Sequence, residues 1–313
     1  MRLWFIGSGP FAARCLEGLA AEGLPFERVI TALPTRGGRG MKEMPSRVEE
    51  RALALSLPLE RTGPLSGNEA LMDALREDAP DAAFVVDFGQ RIREPLLSAP
   101  RWGCINIHPS LLPRWRGAAP IPRALMEGDM RTGVTVFRLV PEMDAGPVLR
   151  QGAVDLEGGV TASELYERLA ALGAELAAEG LRELEAAGED FSRLFAPQDG
   201  EPCCAAKLSK EEFHVSWDWP ADRADRTIRA LEALGGAFVM AGGKRLKLWR
   251  ASPVDASGAP GTVVELRDGT PVMAFASGAL LLLEVQAEGK KRSPASEWAR
   301  GLRLKPGDAL SRD

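Results

Sequence analysis

The chain has few of the residues from which metal and redox centres are built. Its 313 residues include four cysteines and two histidines. Cys15 and Cys104 stand alone, Cys203 and Cys204 are adjacent, and none has CxxC spacing. That excludes the common zinc and dithiol motifs and leaves reduced thiols in a cytoplasmic protein as the expectation, with no bound metal. No apolar run approaches the ~18 residues of a membrane helix. The LLLLEV run at 280–285 has strand length only, and MRLWFIGSG is too short and Gly-rich for a signal peptide. There is no overall excess of positive charge either, the net being -5. The charge is uneven, however: residues 206–313 carry 17 Lys+Arg against 14 Asp+Glu. This mild basic excess in the C-terminal part is compatible with a phosphate backbone as partner. Internal repeats and low-complexity stretches are lacking.

What is present is an ordinary globular composition, 45% hydrophobic and 27% charged, with length for about two domains. Strand and helix signals alternate in the first part. Strands are expected at 2–7, 27–33, 82–88, 103–108, 133–140 and 147–156. Helices are expected at 11–21, 46–56, 69–78, 91–98, 118–127 and 161–188. Ser46 is a plausible cap, and Thr161 with Glu164 reads as a capping box. Such alternation predicts an α/β domain with a parallel, doubly wound sheet over 1–188. Pro and Gly then break the pattern, and 189–210 reads as a linker. Beyond it come a helix at 221–234 and short strands at 237–241, 244–252, 261–267, 270–276 and 279–286. That spacing predicts a small β-barrel over 211–313.

The densest chemical signal is CINIHPSLLPRWRGAAPIPRAL, from Cys104 to Leu125. Strand alternation puts Asn106 and His108 on one face. An amide and an imidazole side by side at a strand end suit an oxyanion, as in acyl or formyl transfer to an amine. Asp144, in LVPEMDAGPVL, is the acid that could orient the ring and favour its charged form. Each residue alone reads equally as a structural histidine, a plain amide or a turn residue. One competing motif exists. Gly7-Ser8-Gly9-Pro10-Phe11-Ala12 has the G-x-G-x-x-A form of a dinucleotide site, without an acidic residue ending the second strand.

These stretches resemble the folate-dependent formyltransferase superfamily, and over nearly the full length the methionyl-tRNA formyltransferase family. The resemblance is carried by GGRGMKEMPSRV at 37–48, GCINIHPSLLPRWRGAAPIPRAL at 103–125 and TGVTVFRL at 132–139. MDAGPVL at 143–149, AAKLSKEE at 205–212, KLWRAS at 247–252, PGTVVE at 260–265 and GKKRSPASEW at 289–298 continue it in order. It implies a Rossmann-like catalytic domain followed by an OB-like domain that binds tRNA. It implies formyl transfer from 10-formyltetrahydrofolate to methionyl-initiator tRNA by a monomer without metal. Asn106, His108 and Asp144 fall on the catalytic trio. Ser110, Leu111, Leu112 and Pro113 fall on the folate-binding turn, and Phe88 and Gly89 near the pterin pocket. Arg36, Arg39 and Lys42 lie in a loop implied to approach the acceptor stem. Arg114 and Arg116 lie near the substrate entrance, and Lys290 and Lys291 on the tRNA side. The chain departs from the family at three places, with Gly-Ser-Gly-Pro for Gly-Thr-Pro, Asp87-Phe88-Gly89 for Ala-Tyr-Gly, and Glu232-Ala233-Leu234-Gly235-Gly236 for an Asn-Pro-Trp-Pro-type segment. Two other readings stand beside this one: a formyltransferase for an amino sugar nucleotide, and a non-catalytic NADP- or tRNA-binding module.

Overall fold

The computed structural model describes residues 1–37, 42–65 and 67–310. In chain order it forms β1 (Leu3–Gly7), α1 (Pro10–Ala21), β2 (Phe26–Ala32), β3 (Thr35–Gly37), β4 (Lys42–Met44), α2 (Arg47–Ala54), β5 (Leu59–Thr62) and α3 (Glu69–Asp78). Next come β6 (Ala82–Val86), β7 (Cys104–His108), β8 (Arg116–Gly117), α4 (Pro120–Glu127), β9 (Arg131–Arg138), β10 (Val148–Asp155), α5 (Ala162–Ala187) and β11 (Cys204–Ala205). The chain closes with α6 (Ala221–Leu231), β12 (Ala237–Ala241), β13 (Lys244–Val254), β14 (Val263–Arg267), β15 (Thr270–Ala274), β16 (Ala279–Ala287), β17 (Ser293–Pro294) and α7 (Ala295–Leu302). Two compact units result. One holds residues 1–117, 131–155 and 166–205, the other 118–130, 156–165 and 206–313.

The first unit is built on a seven-stranded sheet in the order β10-β9-β7-β6-β1-β2-β5. β7, β6, β1, β2 and β5 are parallel, as expected. β9 and β10 depart from the all-parallel expectation: β9 is antiparallel to β7, and β10 to β9. The nine residues between β9 and β10 contain no helix, and a parallel pair needs a crossover of a dozen or more. Strand alternation sends Trp4, Ile6, Ile30, Ala83, Val85 and Cys104 to one side, where Leu71 and Leu75 of α3 cover them. Helix α5 lies on the other side. A Cβ at Gly173 would fall 2.6 Å from Ile107 Cγ2, so only glycine lets the helix lie this close to β7. The expected caps are in place. Ser46 accepts the Glu49 amide at 2.9 Å, and Thr161 and Glu164 exchange reciprocal bonds across the start of α5.

One further expectation needs correction, and several elements were not foreseen. Residues 91–98 form turns rather than a helix, because Pro95 offers no amide hydrogen in the middle of the segment. The hairpin β3–β4, the short strands β5, β8, β11 and β17, and α7 were not expected: these strands are too short to show periodicity, and α7 is a short helix that buries only Ala295 and Ala299. Residues 189–205 are not free of the first unit: β11 pairs with β8, and Ala196 bridges Val148.

The second unit is an antiparallel sheet in the order β12-β13-β16-β15-β14, with β17 on β16. Two register shifts between Leu248 and Ala251 bend β13, the curvature a small barrel needs. Helix α6 buries Ala224, Ile228 and Leu231. Arg226 donates to the Met126 carbonyl at the end of α4, and Arg229 to that of Val160.

Candidate functional site

The site is assembled at the end of β7. Asn106 and His108 lie two residues apart on this strand, opposite Phe137 and Thr135 of β9. Asn106 Nδ2 donates to the Val85 carbonyl at 2.7 Å. That bond fixes the amide orientation, since a carbonyl can only accept. It leaves Asn106 Oδ1 buried and without a partner. A buried polar atom in this condition costs about 1–3 kcal/mol unless something meets it.

His108 is 5% exposed, its ring edge-on to Phe137. Its Nε2 lies 2.9 Å from the Trp115 carbonyl. The carbonyl must accept, so Nε2 carries the hydrogen and the neutral ring has its lone pair on Nδ1. Nδ1 is 3.8 Å from Asp144 Oδ2. Burial pushes the imidazole below its ordinary value. The Asp144 charge and the Trp115 carbonyl pull the other way and do not prevail. The charged ring expected from sequence is therefore replaced by a neutral one at rest.

Asp144 sits at φ 49°, in the left-handed region, where Asp is among the few residues tolerated. Its Oδ2 accepts the Gly117 amide at 2.7 Å. Leu139, at the start of the same loop, donates its amide to the Cys104 carbonyl at the far end of β7. The loop thus runs back along β7 to bring Asp144 to His108.

Sequence reasoning missed the residue that holds this loop. Gln198 Nε2 donates to the carbonyls of Asp144 (2.8 Å) and Gly146 (2.9 Å), and its Oε1 accepts both Nε and Nη2 of Arg116. Only its place in an apparently unstructured Pro/Gly stretch was visible. The Ser110–Pro113 turn follows β7 directly. Ser110 is buried and donates to the Arg114 carbonyl at 2.6 Å. Thr135 Oγ1 donates to the Ser110 carbonyl and accepts from Leu112 N and Gln151 Nε2, so the turn is tied to β9 and β10. Phe88 is buried among the residues on the α3 side of the sheet, and Gly89 adopts φ 78°. Arg114 is exposed and lies over the Trp115 ring at 4.5 Å.

Arg36 and Lys42 stand in β3 and β4, and Arg39 lies outside the described residues. Lys290 and Lys291 are exposed between β16 and β17 in the second unit. No group of three or more His, Cys, Asp or Glu side chains is placed to hold a metal among the described residues.

The G-x-G-x-x-A turn is already filled. Asp87, just past β6, accepts the Ser8 and Gly9 amides on its carbonyl and the Phe11 amide on its carboxylate. A carboxylate at the start of α1 stands where a dinucleotide would put its phosphates, which argues against that use.

Comparison with known proteins adds the following. The model of the family described as formyl transferase matches residues 1–181, and that of the formyl transferase C-terminal domain matches 207–303. A methionyl-tRNA formyltransferase of Roseobacter denitrificans is 41% identical over 307 residues, covering 98% of each chain. That of Methylobacterium nodulans is 40% identical over 316 residues, covering 99% of each. Among solved structures, HypX from Aquifex aeolicus in complex with tetrahydrofolic acid aligns with a TM-score of 0.68 at 20% identity. That alignment covers 98% of this chain and 48% of HypX, so the chain spans about half its length. An N-formyltransferase from Helicobacter canadensis aligns with a TM-score of 0.61 at 14% identity, covering 91% and 98%. At these identities the two structures bear on the fold alone.

Proposed function

The chain belongs to the formyl transferase family, and from that premise we infer which side chains carry its chemistry. The reaction is transfer of the formyl group of 10-formyltetrahydrofolate to the α-amino group of methionyl-initiator tRNA, for translation initiation. The folate co-substrate supplies a formyl carbon whose oxygen gains negative charge as the amine adds.

The observation that carries the residue assignment is the unpaired Asn106 Oδ1, buried on the same strand face as His108. Such an atom fits a ligand that brings an N–H to it. Asn106 keeps one amide hydrogen on Val85 and offers the other to the developing oxyanion. Its Oδ1 accepts from the attacking amine. His108 starts neutral and takes the amine's proton at Nδ1, beside Asp144. Asp144 then stabilises the imidazolium, and as the tetrahedral adduct collapses with cleavage of its bond to N10, the imidazolium returns that proton to N10 and tetrahydrofolate leaves. The Gly117 amide and Gln198 hold Asp144 in place for this.

Ser110, Leu111, Leu112 and Pro113, with Phe88 and Gly89, form the folate side. Their bonds to Thr135 and Gln151 make that turn rigid. Residues 1–188 are assigned as the catalytic domain, 189–210 as the connection and 211–313 as the OB-like tRNA-binding domain. Arg36, Arg39, Lys42, Lys290 and Lys291 meet phosphates, where basic side chains add affinity without reading bases. Arg114 and Arg116 border the substrate entrance. We further propose that the protein acts as a monomer in the cytoplasm.

The test is formyl transfer with initiator methionyl-tRNA, elongator methionyl-tRNA and an amino sugar nucleotide in parallel. Product on the initiator alone supports the reading. Product on the sugar nucleotide alone overturns the substrate, and none on any overturns the site.

A further inference from the structure

The turns Gly7-Ser8-Gly9-Pro10 and Asp87-Phe88-Gly89 are one device. Gly9 lies at φ -78° and ψ 176°, a conformation open to any residue, so its backbone does not demand glycine. Its surroundings do. A Cβ at Gly9 would fall 1.8 Å from Asp87 Oδ2, 2.2 Å from Cγ and 2.6 Å from Oδ1. The three nearest atoms thus all belong to one carboxylate.

That carboxylate has work at the start of α1. Gly9 caps the helix without a side chain, and Pro10 in the first turn has no amide hydrogen. Asp87 reaches over from the end of β6 and accepts the Phe11 amide, while its carbonyl takes those of Ser8 (3.2 Å) and Gly9 (2.9 Å). Burial raises the Asp87 carboxyl above its usual range, and the Phe11 bond opposes that rise. Tyr166 packs on Phe11, and its hydroxyl is pushed up to about 12 by burial first and the Asp87 charge second. Asp87 itself adopts φ 43°, a left-handed conformation in which a clamped Asp holds its successors in place. Those successors are Phe88 and Gly89.

We propose that Asp87 is a positioning residue of the folate pocket: clamped over the first turn of α1 in the space that Gly9 leaves, it fixes the Phe88-Gly89 turn. This rests on the assignment of Phe88 and Gly89 to the folate. Gly9 and Asp87 then form a matched pair, and neither can be changed alone without disturbing the pocket.

A double-substitution cycle tests this in the full chain. The variants are Gly9→Ala, Asp87→Ala, both together, the conservative Asp87→Asn, and Phe88→Ala as control. The readouts are KM for 10-formyltetrahydrofolate, KM for methionyl-initiator tRNA, kcat, and direct binding of 5-formyltetrahydrofolate. Asp87→Ala is expected to raise the folate KM about tenfold, the equivalent of one lost hydrogen bond to a charged group. The tRNA KM stays unchanged and kcat nearly so. Gly9→Ala alone does the same, by displacing the carboxylate. The double variant is no worse than Asp87→Ala, because the clash is gone. Asp87→Asn keeps an acceptor for Phe11 and stays within about threefold of the parent, on the smaller worth of a neutral bond. Additive losses at Gly9 and Asp87 would overturn the pairing. A folate KM untouched in Asp87→Ala but raised in Phe88→Ala would overturn the positioning role. Folate binding untouched in both overturns the pocket assignment instead. Should Asp87→Ala fail to fold, the Asp87→Asn and Gly9→Ala comparison decides: equal folate KM values in the two would overturn the proposal.

Discussion

His108 gives its Nε2 hydrogen to the carbonyl of Trp115 at 2.9 Å, and Trp115 holds that carbonyl in place from a backbone φ of 64°. A tryptophan rarely adopts this conformation, and strain of about 1–3 kcal/mol is the usual cost. The cost fixes the tautomer: one nitrogen is committed, and Nδ1 alone is left for chemistry.

The first prediction concerns pH. Burial lowers the folded-state value of His108 below the ordinary ~6.5. Above about 6.5 both folded and unfolded chains are neutral here, and His108 costs no stability. As pH falls through that value the unfolded chain binds the proton first, so stability declines down to the folded-state value. Imidazole NMR in a His214→Gln background, which leaves a single histidine, should show His108 neutral at pH 6.5. A half-protonation point above 6.5 would contradict the neutral resting state.

Replacing His108 by Ala should cost about 10²–10⁴ in turnover, the usual contribution of a general acid–base group. Binding of 5-formyltetrahydrofolate should be nearly unchanged. Near-normal single-turnover rates would remove His108 from the reaction.

Asp144→Asn separates charge from geometry. The amide oxygen can still accept the Gly117 hydrogen, so the loop stays in place. The imidazole loses the charge that raises its affinity for a proton. Turnover is expected to fall about 10–100-fold, as for one to two pKa units, with the His108 titration moving further down. A variant that titrates and turns over like the parent would refute the charge role.

Gln198→Ala removes two hydrogen bonds to the Asp144 loop and two from Arg116. A loss of about tenfold in kcat is expected, consistent with misplacement of a catalytic group. The folate KM should move little. Stability should fall by about 1–3 kcal/mol as carbonyls lose partners, read as a lower thermal midpoint.

Much of the fold was legible because it rests on local pattern, whereas Asp144, read alone, was a turn residue and stood out only through the resemblance. Period-two alternation placed Asn106 and His108 together on β7, and the Thr161–Glu164 box marked the start of α5 within a residue. The direction of β9 was hidden, since a hydrophobic strand reads alike either way along the sheet. Gln198 was hidden because its partners are backbone carbonyls 52 and 54 residues away, which leave no trace in spacing. The pairing of Gly9 with Asp87 was hidden for the same reason. Each showed only as a departure from the family pattern, and a single steric clash joins them.

The last prediction concerns the second unit. Lys290 and Lys291 are exposed, next to Arg292, which pairs with Glu284 and lies over Trp249. Lys290→Ala with Lys291→Ala should raise the tRNA KM and leave the folate KM alone. Each phosphate that a lysine no longer neutralises should reduce the salt slope of binding by about one. An unchanged slope would take both lysines out of the interface.

The antiparallel turn of β9 makes catalysis a gauge of correct assembly. His108 meets Thr135, and Thr135 in turn holds the Ser110 carbonyl, only when β7 and β9 align as they do. A slip of β7 by one residue would send Asn106 and His108 to the face under α5 and bring Ile105 and Ile107 into the site. Such a chain could keep its hydrogen-bonded ladder, its helix content and much of its compactness while being wholly inert. For this protein, turnover per mole is accordingly a stricter criterion of native folding than circular dichroism or solubility.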